Sequence, residues 1–456
     1  MTHSEFVIFG RRFRSNACMK ETIVVTGGKP LRGNAFPIPN KNAIVAALPA
    51  AILTDEEVVY RNVPKSTDVE KILEMLKLLG AKIDDSDYSQ IKITCKNLKS
   101  YKVDQDLGGK IRASILFAGS LLARFGKAEI PVPGGCVLGK RSISAHIDVF
   151  QKLGVKVEYF DGYARFTAPK TLKKSYDVWQ SEASVTATEN FAMYTAGVNS
   201  NFSLTDSACE PHVAQVLELL LHMGAKISGI GSNRISISGK SPLKGAEFIP
   251  EPDFVDIAGY IVAAAITNGE IIIKGANIPS ITGIFENWFP KFGILLKTSG
   301  KDLIAKRGKE LRIDLVNSGF PLAVKDIPKF VPRPWPGFPV DVLPVIVTLA
   351  CKLKGSLLVQ NWMYETGLDF IRELNSMGAD IFMCDPQRII VKGPVIFNGG
   401  DVTPPGVIQA CKAIFLASLC DSVATTIHGA DILKRRYPDI FEAYKSLGAD
   451  IKVVSE

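Results

Sequence analysis

Six times along this chain, apolar residues at helical spacing run into a glycine and then into a short β-branched stretch. The strings are "LEMLKLLGAKI" at Gly80, "VFQKLGVKV" at Gly154, "LELLLHMGAKI" at Gly224, "WFPKFGILL" at Gly293, "IRELNSMGADI" at Gly378 and "YKSLGADIKV" at Gly448. Ile72, Met75, Leu76 and Leu79 show the spacing, which places them on one helix face. Each glycine is expected to end its helix in the left-handed conformation that other residues resist. The run after it favours a strand. Spacings between the glycines are 74, 70, 69, 85 and 70 residues, too long for a solenoid repeat of about 20–50. Each copy is therefore a small α/β unit with too little interior to stand alone.

Two other stretches, "NAIVAALPAAIL" and "IAGYIVAAAIT", are apolar all round and predict helices buried on nearly every side. Three units packed around each of two such helix clusters give two similar globules. The expected organisation is an extension over residues 1–20, one domain from 21–40 plus 251–456, and a second over 41–250. The chain would enter the second near Lys41 and return near Pro252. A cleft between the globules is the default ligand site.

Composition narrows the class. Hydrophobic residues make up 46% and charged residues 22%, as in a soluble globular protein with large cores. The net charge of +8 favours small anionic ligands, and without a Lys/Arg block it argues against nucleic acid. Eight cysteines without a C-x-x-C pair argue against zinc and against a disulfide framework. Reduced thiols point to a cytoplasmic enzyme. No apolar run reaches the roughly 18 residues of a membrane span. The first twenty residues carry three arginines without a long apolar core, and are read as an extension, not a signal peptide.

Candidate chemistry begins at "VPGGCVLGKRS". It approaches a phosphate loop, but Arg141 stands where a magnesium-binding hydroxyl is needed. The other reading centres on Cys136, whose thiolate the neighbouring Lys140 and Arg141 would favour. Lys41 opens an apolar helix, where the dipole repels a cation unless an anion is bound. Asp341 ends "PWPGFPVD", expected to be stiff and extended, and is either a held base or an N-cap for the helix that follows. His146 reads as a cap or packing group.

With these residues in view, the chain resembles the enolpyruvyl transferases, and their UDP-N-acetylglucosamine branch more than the shikimate-phosphate branch. The resemblance runs from about Glu21 to the end. It rests on the six units, "NKNA" at Asn40, "RAS" at Arg112, the Cys136 loop, "NVPKSTDV", "ASVTATEN", "EPDFVD" and "GFPVD" in that order. It implies an α/β fold of two inside-out α/β barrels, three units in each. It also implies transfer of the enolpyruvyl group of phosphoenolpyruvate to a hydroxyl of a nucleotide or nucleotide sugar, with no metal or organic cofactor and release of phosphate. Cys136 would protonate, or add covalently to, the enolpyruvyl carbon, Asp341 would be the base, and Lys41 would contact phosphoenolpyruvate. Asn42, Arg112, Arg141, Arg435, Ser142, Ser144 and Thr186 would bind substrate. Three positions depart from the family pattern. Thr366 and Gln409 stand where arginines hold the donor carboxylate, and Val407 where an aspartate assists proton transfer. Arg333, Lys412 and Lys434 are candidate replacements. The departures also admit a paralogue with another acceptor in secondary metabolism, or a non-catalytic nucleotide-sugar binder.

Overall fold

The computed structural model describes residues 21–132, 143–313, 322–324, 327–364 and 366–454. Cys136, Arg141 and Ser142 lie outside the described residues. The six repeats are visible as six sheets among those described. In the first, the strand Glu57–Arg61 leads to the helix Thr67–Leu79, then to the hairpin of Lys82–Asp84 and Gln90–Thr94. Gln90–Thr94 lies antiparallel between the other two, with Val59 opposite Lys92 and Ile83 opposite Ile93. A distant strand, Glu247–Phe248, closes the sheet in parallel against Glu57–Arg61. The final sheet draws its central strand from the other end of the chain. Thr22–Thr26 lies antiparallel between Ala424–Ile427 and Asp450–Val454.

The six hinge glycines take φ of 106°, 82°, 109°, 78°, 98° and 104° in chain order. This left-handed region is nearly closed to residues with a Cβ. A strand follows each glycine within two residues, so helix, reversal and strand recur as one local program.

Two separate cores form. One uses residues from Ala43 to Phe248; the other joins Ile23–Ala35 to residues from Phe254 onward. In each, helices run through the middle with the sheets packed outside. The first holds Lys41–Ala47, continued by the 3-10 turn Leu48–Leu53, with Phe117–Phe125 and Val185–Ala196. The second holds Phe254–Ile266, Leu343–Cys351 and Ile408–Ser418. Every residue of Phe254–Ile266 is buried, which explains its lack of a polar face. Gly119 lets two central helices touch: a Cβ there would stand 2.4 Å from the backbone oxygen of Asn190. The Asn190 side chain ties the same crossing, accepting from Gly119 N–H at 2.7 Å and donating to Ile115 O at 2.9 Å.

The chain passes between the cores twice, and the two crossings pair side by side. Asn40 N–H donates to Glu251 O and Asp253 N–H to Ile38 O, each at 2.8 Å. Among the described residues no helix is long and apolar enough to cross a membrane.

Candidate active site

Because the central helices of both cores start toward one another, their first turns surround a common cleft of about 400 Å³. Lys41 and Asn42 begin one helix, and Arg112 begins the 3-10 turn that feeds the next. Thr186, Phe254, Asp341 and Gln409 come from the starts of the other four, and all seven residues line the cleft. Helix N-termini carry partial positive charge and unpaired N–H groups, so the cleft is positive even before side chains are counted.

Of the residues singled out in the sequence, Lys41, Asn42, Arg112, Thr186, Asp341 and Arg435 line this cleft. Ser144 is exposed at the head of the helix Ser144–Lys152 and is not among the lining residues.

Lys41 is placed by Asn40, whose side chain caps the helix by accepting from Asn42 N–H at 3.0 Å and Ala43 N–H at 3.2 Å. The ammonium reaches Asp68 at 2.7 Å, with both side chains nearly buried. Arg435 approaches the same carboxylate from the other core at 3.4 Å. Burial pushes the Asp68 carboxyl up, but Lys41 and then Arg435 outweigh it and hold it below its usual value. Asp68 thus aligns two cations from opposite walls.

Asp341 sits in the 3-10 turn Val340–Val342, 32% exposed, and makes no side-chain cap of the helix behind it. The expected N-cap role is therefore absent. Instead its Oδ2 lies 3.7 Å from Nη1 of Arg436. The proline-rich stretch before it is a tight turn and not an extended arm. Gly337 N–H bonds to Pro334 O at 2.8 Å and Arg333 N–H to Phe338 O at 3.0 Å, a geometry that Pro and Gly favour.

Arg436 is the residue that reading the sequence missed. Its guanidinium is 4% exposed and grips the fully buried Asp253 by two bonds, 2.8 Å from Nε and 2.9 Å from Nη2. Asp253 also caps the helix Phe254–Ile266 by accepting from Val255 N–H at 2.9 Å. Burial opposes the charge on Arg436, but Asp253 chiefly raises its pKa above the ordinary arginine value. The doubled arginine in "LKRRYPD" was the available signal, and both arginines line the cleft.

The three candidate replacements separate. Arg333 lines the cleft. Lys434 pairs with Glu21 at 2.6 Å. Lys412 is wholly buried, 3.3 Å from Asp256 and 4.3 Å from the ring centre of Tyr437. Thr366, Val407 and Gln409 line a smaller adjoining cavity of about 50 Å³ that opens at Asp341. Its described lining holds Asp341 and Asp369 but no lysine or arginine.

His146 is buried. It contacts Thr186 Oγ1 at 3.0 Å through Nε2 and Asn190 Nδ2 at 3.0 Å through Nδ1. Burial first, and Arg112 second, lower its pKa to about 3. A neutral imidazole so held fixes the position of Thr186. Among the described residues no His/Cys/Asp/Glu cluster could hold a metal ion.

A family model described as EPSP synthase (3-phosphoshikimate 1-carboxyvinyltransferase) matches residues 25–444. The UDP-N-acetylglucosamine 1-carboxyvinyltransferase of Bradyrhizobium diazoefficiens is 36% identical over 433 residues, covering 95% of this chain and 98% of the relative. The protein of the same name from Treponema denticola is 34% identical over 430 residues, covering 94% and 98%. The crystal structure of the enolpyruvyl transferase NikO from Streptomyces tendae matches with a TM-score of 0.82 at 20% identity, over 96% of this chain and 100% of that one. EPSP synthase from Acinetobacter baumannii matches at 0.70 and 18%, over 95% and 100%. The two structural likenesses show the shared fold.

Proposed function

The chain belongs to the enolpyruvyl (1-carboxyvinyl) transferase family, and we propose that its acceptor is the hydroxyl of UDP-N-acetylglucosamine or a related nucleotide or nucleotide sugar. The observation that carries this reading is the cleft itself. Lys41, Arg112, Arg333, Arg435 and Arg436 all line it, together with Asp341, a partly exposed carboxylate that is free of a capping role.

The proposed reaction has two stages. Asp341 accepts the proton of the acceptor hydroxyl as that oxygen bonds to the central carbon of phosphoenolpyruvate. Cys136 supplies a proton to the methylene carbon, giving a tetrahedral phospho-ketal. The methyl carbon then returns a proton, the C–O bond to phosphate breaks, and the enolpyruvyl double bond re-forms on the acceptor. Lys41 and Arg435 stabilise the departing phosphate, pre-aligned by Asp68 so that little reorganisation is needed. Arg333 takes the donor carboxylate, the task for which Thr366 and Gln409 have no charge. The paired crossings at Asn40 and Asp253 form the hinge about which the cores close and exclude water. Both substrates would be met in the cytoplasm, and with UDP-N-acetylglucosamine as acceptor the product enters peptidoglycan synthesis.

Phosphate release from phosphoenolpyruvate, measured against a panel of nucleotides and nucleotide sugars, tests the reading. At least one acceptor should give stoichiometric phosphate; silence with all of them, from folded protein, defeats it. The absence of cations in the described lining of the small cavity at Thr366 favours a second reading, a non-catalytic nucleotide-sugar binder. Calorimetry in which phosphoenolpyruvate leaves nucleotide binding unchanged would support that alternative.

A further inference from the structure

Two carboxyl groups in the cleft have no task in the reaction above. Glu189 lies in the second turn of Val185–Ala196, and Glu210 stands directly before the helix Pro211–His222. Both line the cleft that Asp341 lines. Glu189 is 2% exposed, yet among the described residues its Oε1 has no hydrogen-bond partner. Oε2 of Glu210 is buried and equally without a partner among them. Nδ1 of His212, two residues on and in the same wall, is a third. Buried polar atoms are nearly always satisfied, and each orphan destabilises the empty protein. Three of them lining one cleft leave hydrogen-bonding capacity for a ligand.

The charge of this wall says what kind. Burial, reinforced by the nearby Glu210, holds the Glu189 carboxyl well above its usual range. Burial raises Glu210 too, and Asp341 is close enough to add repulsion. Burial lowers the His212 imidazole to about 4, so it is neutral. A protonated Glu189 carboxyl and a neutral imidazole both give and accept hydrogen bonds, and the free oxygen of Glu210 accepts one in either protonation state. They face Lys41 and the cleft arginines, which claim the anionic groups of any ligand. Hydroxyl groups match the wall, since each is donor and acceptor at once.

We propose that Glu189, Glu210 and His212 form the subsite for the hydroxylated sugar ring of the acceptor, holding the ring whose hydroxyl Asp341 deprotonates. This rests on the nucleotide-sugar reading above, and gives it a residue-level account of acceptor selection. The subsite touches the ring and not the pyrophosphate, so its loss is felt by a sugar nucleotide and not by the nucleotide alone.

The test compares UDP with UDP-N-acetylglucosamine by calorimetry on the wild-type chain, Glu189→Leu and Glu189→Gln, with melting temperatures alongside. Leucine removes the orphaned acid without leaving a polar atom unpaired. The melting temperature of E189L should therefore hold or rise. Its Kd for UDP-N-acetylglucosamine should rise roughly 10- to 100-fold, and its Kd for UDP less than about twofold. Glutamine keeps a donor and an acceptor and should restore most of the affinity. Glu210→Leu, read by its two Kd values alone, serves where E189L does not fold. Equal binding of the sugar nucleotide by wild type and variants overturns this inference alone, as does an equal loss for UDP or a wild type with no preference over UDP. Wild-type protein that binds neither probe overturns the acceptor reading together with it.

Discussion

Arg436 and Asp253 offer the sharpest energetic test of how the cleft is held. The pair is 4% and 0% exposed, so neither charge has water to fall back on. Arg436→Met keeps much of the apolar stem but leaves Asp253 facing the cavity of the lost guanidinium. Breaking a buried pair from one side typically costs about 3–5 kcal/mol. Asp253 still accepts from Val255 N–H, which places the expected loss near 3 kcal/mol, at the lower end of that range. Asp253→Asn keeps the capping oxygen while removing the charge. The double variant should therefore recover part of the loss, with a coupling of roughly 2 kcal/mol or more. Urea unfolding of wild type, both single variants and the double variant measures this. Additive losses, with coupling below about 0.5 kcal/mol, would show that the pair is not a unit.

Other parts of the account are open to direct measurement. Gly119→Ala puts a methyl 2.4 Å from the Asn190 carbonyl, so melting should show a loss of about 1–3 kcal/mol or more; an unchanged melting temperature would mean the helices separate freely. His146 and His212 titrate near 3 and 4 when folded but near 6.5 when unfolded. Below pH 6.5 the unfolded chain binds more protons, so stability falls as pH drops toward 4, by up to ~1.4 kcal/mol per unit for each histidine. His146→Gln should flatten that slope, and an identical slope would refute the burial argument. Asp68 works in a lower window. Its depressed folded pKa adds stability above its unfolded value near 4 that is lost as pH falls through the folded one. The stability gap between wild type and Asp68→Asn should therefore close below about pH 4, and a gap that persists there contradicts the assignment. Lys41→Ala, assayed by steady-state kinetics on protein shown by melting to be folded, should lower kcat roughly 10²- to 10³-fold, by analogy with losing one preorganised donor to a developing anion.

Much of the architecture was readable because its signals are local. A helix that must reverse into a strand needs a residue tolerant of positive φ, and six glycines at near-regular spacing announce six such reversals. Runs without a polar face, such as Phe254–Ile266, announce helices surrounded by other structure. The site was readable only where one residue type in one local setting implies its chemistry, as with Lys41 at a helix start. For Arg436 the doubled arginine was a weak signal, because its meaning comes from Asp253, 183 positions away. Glu189 is the lone acid of its helix, but its relation to Glu210 exists only in the folded cleft. At Pro334–Gly337 the chain turns and does not extend, because proline's local preference yields to the closing bonds of Gly337 and Arg333.

The central claim is that this cleft joins an enolpyruvyl group to an acceptor hydroxyl. Mass spectrometry of a nucleotide-sugar acceptor incubated with the protein and carboxyl-labelled phosphoenolpyruvate tests it most directly. The account predicts an acceptor heavier by one labelled enolpyruvyl group for each phosphate released, with neither formed by Asp341→Asn. Unmodified acceptor and intact phosphoenolpyruvate after incubation with folded wild-type protein, across the nucleotide panel, would contradict it.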